Sequence, residues 1–180
     1  MKKHKILRTI IELVVLFGLV FLLRIFIFNP VEVLGNSMEP TYHESDRLWQ
    51  MTFVEPSRFD NVTFISPRNG KMLVKRVIGL PGDTIRYEND QLYINDKAYD
   101  EDYLDEFKVD MPDGEPLTPD FSLETLTATQ TSTVTEGKYF VLGDNRQIAD
   151  DSRYFGFVDQ DDIKGVIFFR FFPLNKIGLQ

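Results

Sequence analysis

The segment Leu73-Val74-Lys75-Arg76-Val77-Ile78-Gly79-Leu80-Pro81-Gly82-Asp83 decides the fold class of this chain. Residues 73–78 have the composition of a strand, and the Pro81-Gly82 pair that follows them marks a turn. Because side chains of a strand alternate between its two faces, Lys75 has apolar neighbours on its own face and Arg76 points to the other. The segment therefore predicts a strand that carries a lysine in an apolar setting.

Similar short segments follow one another along the chain, and turn sequences separate them. The predicted strands are Val31–Leu34, Arg47–Val54, Asn61–Ser66, Lys71–Ile78, Thr84–Tyr87, Gln91–Ile94, Tyr139–Leu142 and Gly165–Phe172. Since few stretches have a helical period, residues 29–180 are predicted to form a mainly β, antiparallel domain. Phenylalanines fall on both faces of the segment Val166–Leu174, so we expect them to pack in the core rather than to enter a bilayer.

Residues 95–136 differ in composition from the rest of this domain and are predicted to be a small inserted β/loop region. Residues 99–124 hold ten acidic residues against one basic residue, Lys108. This composition favours a solvated, mobile acidic loop over a calcium site, because no spaced ligand loop with its glycine is present. Threonine at every second position of 125–135 predicts a strand after the loop.

The N-terminal residues predict a membrane anchor. Ile10–Phe28 is apolar except for Glu12, Gly18 and Arg24, and a helix of this length is roughly 28 Å long, close to the hydrocarbon thickness of a bilayer. Residues 1–28 carry a net charge of +4, which is expected to keep the N-terminus cytoplasmic and residues 29–180 outside. A cleaved signal peptide, with a loosely fitting site at Val33 and Gly35, and a buried core helix are the alternatives.

The composition of the 180 residues limits the chemistry available to an enzyme. The chain has no cysteine, which excludes disulfides and thiol nucleophiles, and its two histidines are His4 and His43. His43 lies in a polar, turn-like stretch, so we expect a surface position for it. The net charge of −8, which becomes −12 over residues 29–180, argues against a nucleic-acid partner. No metal or cofactor site is indicated.

A serine without a histidine partner can use a lysine as its base. Ser37 lies in Gly35-Asn36-Ser37-Met38-Glu39-Pro40-Thr41, where Gly35 permits a tight turn and the N–H of Ser37 is placed to bind an oxyanion. An apolar setting lowers the pKa of a lysine, so Lys75 can accept a proton. Alone, the two segments also fit a simple turn and a solvated strand face. Together they favour a Ser/Lys hydrolase.

Four segments, in this order behind the anchor, resemble the bacterial type I signal peptidases (leader peptidases) in their short Gram-positive form. They are Ser37–Thr41, Arg58–Phe64, Lys75–Asp83 and Gly143–Arg153, so the resemblance covers nearly the whole chain. It implies a single-pass protein of the cell membrane whose outer catalytic domain cleaves signal peptides from exported pre-proteins. It also implies two partners, the lipid bilayer and a secretion translocon that delivers the substrate.

The resemblance further implies roles for single residues. Ser37 would be the nucleophile and supply an oxyanion N–H, and Lys75 would be the base. The charges implied to brace the site are Arg76, Asp144, Arg146, Asp151 and Arg153. The substrate would lie as a strand between Glu32–Asn36 and Met72–Lys75. Its implied contacts are Val33, Gly35, Asn36 and Val74.

The chain departs from the family where Ala149 replaces a serine of the last motif, whose hydroxyl is thought to orient the lysine. Because of this departure, a second interpretation stays open, in which the chain is a signal-peptidase-like pilus-assembly factor or chaperone with reduced or no catalysis. A self-cleaving repressor protease is a third possibility, since it shares a Ser/Lys dyad. Such a protein would have a DNA-binding domain in place of the anchor, and the acidic body fits it poorly.

Overall fold

The computed structural model describes residues 2–27, 29–109, 111–112 and 115–180, without the side chains of residues 2–4 and 22–27. The helices are α1 (Lys2–Ile27), α2 (Asp105–Val109) and α3 (Ser152–Phe155). The strands are β1 (Asn29–Glu32), β2 (Arg47–Met51), β3 (Asn61–Ile65), β4 (Met72–Gly79), β5 (Ile85–Glu88), β6 (Gln91–Ile94), β7 (Lys97–Tyr99), β8 (Phe121–Ser122), β9 (Lys138–Leu142), β10 (Val158–Asp159), β11 (Ile163–Phe172) and β12 (Gly178–Leu179).

The described strands form two sheets, and every pairing in them is antiparallel. The larger sheet has the order β1-β2-β11-β3-β4-β9-β10, with β12 beside β11, and the smaller has the order β7-β6-β5-β8. The predicted mainly antiparallel β architecture is therefore confirmed. Strand β4, which carries Lys75, lies inside the larger sheet between β3 and β9.

Buried side chains join the sheets and fix the turn that carries the serine. Ile78 of β4 and Ile85 of β5 belong to one cluster that links the larger sheet to the smaller one. A second cluster lies under the turn between β1 and β2, where Met38 packs with Val74. Burying a methionine side chain contributes about 1.5–3 kcal/mol. Because Met38 follows Ser37 directly, its burial holds the serine at the surface of β4.

The predicted anchor, Ile10–Phe28, corresponds largely to α1. Phe28 and the side chains of residues 22–27 lie outside the described residues. The side chains from Lys5 to Phe21 are all exposed, including large apolar ones such as Phe17. Within the part of the chain that the structure describes, no helix has both the length and the apolar character needed to cross a membrane.

The prediction of a strand in the threonine-rich segment 125–135 is wrong, because this segment is a series of turns. The hydroxyl of Thr129 donates to the carbonyl of Leu123, and the hydroxyl of Thr131 donates to the carbonyl of Thr133. Such local bonds offer the backbone an alternative to a sheet ladder. Alternating threonines were therefore not sufficient to specify a strand.

The acidic segment 99–124 is also more structured than the predicted solvated loop. It contains a 3₁₀ turn at Asp102–Leu104, followed by α2 and β8. Strands β7 and β8 complete the smaller sheet at its two edges. Glu101 is only 3 % exposed, so this carboxylate lies inside the protein and not on a solvated surface.

The prediction that the phenylalanines of β11 pack in the core is wrong. Burial in this strand ends at Ile167, and residues 168–172 are half-buried or exposed. Trp49 of β2 stacks on Phe169 and Phe171, with ring centroids 5.4 and 4.9 Å apart. The strand pairing is irregular here, with register shifts that flank this aromatic cluster. Trp49, Phe169 and Phe171 thus form an aromatic patch on the larger sheet.

Candidate active site

Ser37 and Lys75 meet although they are far apart in the chain. The Oγ atom of Ser37, in the turn between β1 and β2, lies 2.7 Å from the Nζ atom of Lys75. Nζ also donates to the carbonyl of Val74 at 3.1 Å, and the lysine is 1 % exposed. When the amine is neutral, the serine hydroxyl can donate to Nζ across this contact, which is the geometry of general-base catalysis. The imidazole of His43 lies instead beside Lys176.

Burial lowers the pKa of Lys75 from 10.5 to about 8. Desolvation is the largest cause, because the ammonium loses its hydration inside the protein. The carboxylates of Asp151, Asp144 and Asp150 act in the opposite direction and limit the shift. A lysine with this pKa is neutral in about one molecule in ten at pH 7, so a useful fraction can act as a base.

Peptide cleavage should accordingly rise with pH up to about 8. We expect kcat/KM to increase about tenfold per pH unit well below this pKa and to level off above it, because only the neutral amine accepts the serine proton. The measurement is kcat/KM for one peptide from pH 6 to 10, with circular dichroism at each pH as the control for folding. A profile that falls over this range would exclude Lys75 as the base.

The serine turn is held by backbone contacts on both sides of Ser37. Gly35 has a φ of 76°, a backbone conformation that residues with a side chain rarely adopt. This agrees with the tight turn predicted at this glycine. The backbone N–H of Asn145 donates to the carbonyl of Ser37 at 3.1 Å, and its side-chain amide donates to the carbonyl of Asn36 at 3.2 Å. Asn145 was not singled out from the sequence, although it lies within the last motif.

Arg76 and Asp144 connect the serine turn to the larger sheet. Both carboxylate oxygens of the fully buried Asp144 accept from Arg76, at 2.9 and 2.6 Å. The hydroxyl of Thr41 donates to the same carboxylate at 2.5 Å. Since Thr41 closes the turn that begins at Gly35, this pair positions the turn without touching the reacting atoms of the dyad.

Asp151 and Arg153 hold the loop that follows β9. One oxygen of the buried Asp151 accepts from the backbone N–H of Gly143 at 3.1 Å, and both accept from the guanidinium of Arg153. Arg153 in turn donates to the carbonyl of Arg146 at 2.7 Å. These contacts tie together the loop that begins at Gly143, whose residue Asn145 bonds to the Ser37 turn.

Arg146 connects this loop to the smaller sheet. Its fully buried guanidinium donates to Glu101 at 2.7 Å and to the hydroxyl of Tyr87 at 2.6 Å, and its Nε donates to the carbonyl of Gly143. Burial raises the pKa of Glu101, but the Arg146 guanidinium outweighs it and holds that pKa below its usual value. The hydroxyl of Tyr103 also donates to Glu101.

Glu101, Tyr87 and Tyr103 were not among the site residues predicted from the sequence. The ring of Tyr103 lies 3.8 Å from the guanidinium carbon of Arg76, so the same network reaches a second bracing charge. These residues occur in segments without a recognisable motif, and two of them, Glu101 and Tyr103, belong to the acidic run 99–124, which has the composition of a solvated surface. Their contacts with Arg146 and Arg76 depend on the tertiary fold, which packs β5 and the acidic segment against the loop after β9.

A groove of about 340 Å³ begins at Ser37 and is mostly apolar. Val33 and Leu34 line it on the β1 side, and Leu73 and Val74 line it on the β4 side. Residues 72–74 of β4 pair with β3, and pairing with β9 begins only at Arg76. Within the described residues, the other edge of 72–74 therefore has no strand beside it.

Three of the four predicted substrate contacts line one of two cavities. Val33 and Val74 line the groove at Ser37. Asn36 lines a neighbouring cavity, and Gly35 lines neither of the two. Val33 and Val74 therefore lie on the groove side of the serine turn, and Asn36 lies on the side of the second cavity.

Ala149 lies near Lys75 and packs closely against Gly143. It is 2 % exposed, and a Cβ built on Gly143 would lie 2.3 Å from the Cβ of Ala149 and 3.5 Å from the Cδ of Lys75. A residue larger than alanine at position 149 must therefore fit against Gly143. A hydroxyl is the smallest polar addition that this space can receive.

The variant Ala149→Ser should cleave peptides as fast as the wild type or faster. A new hydrogen bond that orients Lys75 is worth about 0.5–1.5 kcal/mol, and about 1.4 kcal/mol corresponds to a tenfold change in rate. We therefore expect a gain of up to about tenfold in kcat. The variant Ala149→Val is the size control and should be slower, because it adds volume without a hydroxyl. A clear fall in kcat for the serine variant would show that the positional match is wrong.

Comparisons with known proteins identify the family of the chain. The family described as signal peptidase, peptidase S26, matches residues 6–172. Signal peptidase IB of Staphylococcus aureus (strain COL) is 36 % identical over 182 residues, which cover 97 % of this chain and 93 % of that protein. Signal peptidase I U of Bacillus subtilis (strain 168) is 38 % identical over 188 residues, covering 98 % and 94 %.

A solved structure extends the similarity to the fold. The crystal structure of a signal peptidase I from Enterococcus faecalis V583 has a TM-score of 0.62 and 57 % sequence identity to this chain. The match covers 63 % of this chain and 97 % of that one. With a family match over most of its length and relatives above one-third identity along nearly all of it, this chain belongs to the signal peptidase family, the S26 serine endopeptidases.

Proposed function

We propose that this protein is a membrane-bound Ser/Lys endopeptidase that removes N-terminal signal peptides from exported pre-proteins. The observation that carries the proposal is the 2.7 Å contact between Ser37 and a buried Lys75 at the end of an apolar groove. Neutral Lys75 takes the hydroxyl proton as Ser37 attacks the scissile carbonyl, and the N–H of Ser37 stabilises the oxyanion. Lys75 then passes the proton to the leaving amine. Water releases the acyl group by the reverse sequence.

The proposed substrate binds as an added strand along the groove. The unpaired edge of residues 72–74 supplies backbone partners on one side, and the segment from Glu32 to Asn36 supplies them on the other. In the family that the chain resembles, small side chains occupy the first and third positions before the cut. The apolar side chains of Val33 and Val74 suit such residues.

The proposed membrane attachment uses Ile10–Phe28 as a single anchor with the N-terminus in the cytoplasm. Its support is the net charge of +4 over residues 1–28 and the apolar side chains of α1, which are exposed from Ile6 to Phe21. The aromatic patch supplies a second bilayer contact, since it is not used by the core. Ser37 follows Asn29 by only eight residues, which keeps the site near the lipid surface. Enzyme and substrate then share one membrane plane.

A direct test uses the purified full-length protein in detergent with a pre-protein that carries its signal peptide. We expect one new N-terminus, located after a small residue, when the product is sequenced. A protein that only assists pilus assembly would leave the pre-protein intact. That result would overturn the proposed function.

A further inference from the structure

A second cavity adjoins the serine turn and shares no lining residue with the substrate groove. It has a volume of about 360 Å³ and is lined by Asn36, Glu39, Phe107, Leu117, Asn145 and Ile148, among others. Asn36 precedes the nucleophile in the chain, and Asn145 donates to the carbonyl of Ser37. The groove and the cavity therefore meet at Ser37.

We infer that this cavity is a specificity subsite for the second residue after the cut, that is, for the mature part of the pre-protein. Residues before the cut occupy the groove on one side of Ser37, so the chain beyond the cut must leave on the other side. Side chains of an extended peptide alternate. The second residue after the cut consequently points toward the enzyme, as the residue before the cut does. This assignment rests on the proposed function.

The chemistry of the cavity selects an uncharged, apolar side chain. Phe107 of α2 and Leu117 supply its apolar wall, and Ile148, 55 % exposed, stands at its mouth. The carboxylate of Glu39 is the charged group in the lining. An aspartate or glutamate of the substrate would lose hydration there and meet a like charge, both of which disfavour it.

The acidic segment supplies Phe107 and Leu117 of the cavity wall, whereas Asn36, Glu39, Asn145 and Ile148 come from the motif segments. Leu117 is 2 % exposed, and its backbone N–H donates to Asp90 at 3.2 Å. Phe107 lies on α2, on the same segment. Residues 99–124 thus contribute substrate selection to the site, in addition to the carboxylate that holds Arg146.

The test compares three peptides that are identical up to the cut and carry Leu, Ser or Asp at the second position after it. The full-length wild type in detergent should cleave the Leu peptide with a kcat/KM about tenfold above that of the Asp peptide, as for other apolar pockets. The variant Ile148→Ser should lose most of this preference, because KM for the Leu peptide rises toward that for the Asp peptide. Because Ile148 is largely exposed, this change spares the fold.

The matched control is Val109→Ser, which removes an apolar side chain that is 84 % exposed on α2 and is not part of the cavity lining. It should retain the full preference for Leu. Equal kcat/KM values for the Leu and Asp peptides, with the Ser peptide cleaved normally, would overturn the subsite and leave the proposed function intact. The same loss of preference in both variants would also overturn it. Failure to cleave any of the three peptides would instead overturn the proposed function.

Discussion

The variant Lys75→Met should lose proteolysis and gain stability at the same time. Cleavage should fall by roughly 10⁴-fold or more, as when a nucleophile or its base is removed in other serine hydrolases. The free energy of unfolding at pH 7 should rise by about 3 kcal/mol, which corresponds to the shift of the lysine pKa from 10.5 to about 8. Methionine has a similar length and fills the same apolar space without a charge.

The gain in stability should disappear at high pH. Below about pH 8 Lys75 is charged in both the folded and the unfolded chain, so the folded state carries the full cost of burying an ammonium. Between pH 8 and 10.5 the unfolded chain binds more protons than the folded one, and the stability of the wild type rises with pH. Above pH 10.5 the amine is neutral in both states. The difference between the two proteins should therefore shrink from pH 8 upward.

Urea unfolding of the full-length protein in detergent at pH 7 and pH 10, together with peptide cleavage, provides the measurement. The matched control is Ser37→Ala, which should abolish cleavage without the gain in stability, because it removes no buried charge. Appreciable cleavage by either variant would contradict the dyad. A Lys75→Met protein less stable than the wild type at pH 7 would contradict the assignment of the lowered pKa to burial.

The turn at Ser37 and the strand that carries Lys75 were predictable from the sequence because their signals are local, whereas neither signal alone predicts that the two residues meet. Lys75 lies in a strand with apolar neighbours on its face, and Gly35 marks the turn that presents Ser37. Both signals depend on the two-residue period of a strand and on the conformational freedom of glycine, which neighbouring residues specify. The scarcity of histidine argued against the more common base, since His43 is the one imidazole of residues 29–180.

Contacts between distant segments were not accessible in this way. The alternating threonines of 125–135 satisfy a strand pattern, but the segment forms turns, in which the hydroxyls of Thr129 and Thr131 bond to nearby carbonyls. The phenylalanines of β11 suit a core, but Val166 and Ile167 already fill it. Glu101 lies in a run whose acidic composition is typical of a solvated surface, but it is buried against Arg146, 45 residues away. In each case the tertiary partner, rather than the local pattern, decides the outcome.

The pair Arg146–Glu101 should be the most sensitive point of the fold outside the hydrophobic core. Both side chains are buried, so the variant Glu101→Leu leaves a guanidinium without its counter-charge, and Arg146→Met leaves a carboxylate without one. Removing one partner of a buried pair costs about 3–5 kcal/mol. Each single variant should therefore lose a large part of the stability of a domain of this size, which is about 5–15 kcal/mol.

The double variant Glu101→Leu/Arg146→Met separates the cost of an unpaired charge from the value of the pair. When both charges are replaced by apolar side chains of similar volume, no charge stays buried alone, and such replacements are often neutral. We expect the double variant to be more stable than either single variant. Because each single variant costs about 3–5 kcal/mol, this requires a coupling free energy of at least about 3 kcal/mol in a double-mutant cycle. Urea unfolding of the four full-length proteins gives this value. Additive single effects would show that the two side chains do not act as a pair.

Cleavage by the double variant then tests whether the network serves the active site as well as the fold. The Nε atom of Arg146 donates to the carbonyl of Gly143, next to Asp144 and its pair with Arg76. That donor is absent in the double variant even if its stability is restored, so the loop after β9 should support the dyad less well. We expect kcat to stay at least about tenfold below the wild type, the equivalent of one lost hydrogen bond to a charged group. A double variant with wild-type kcat would limit the role of Arg146 to stability.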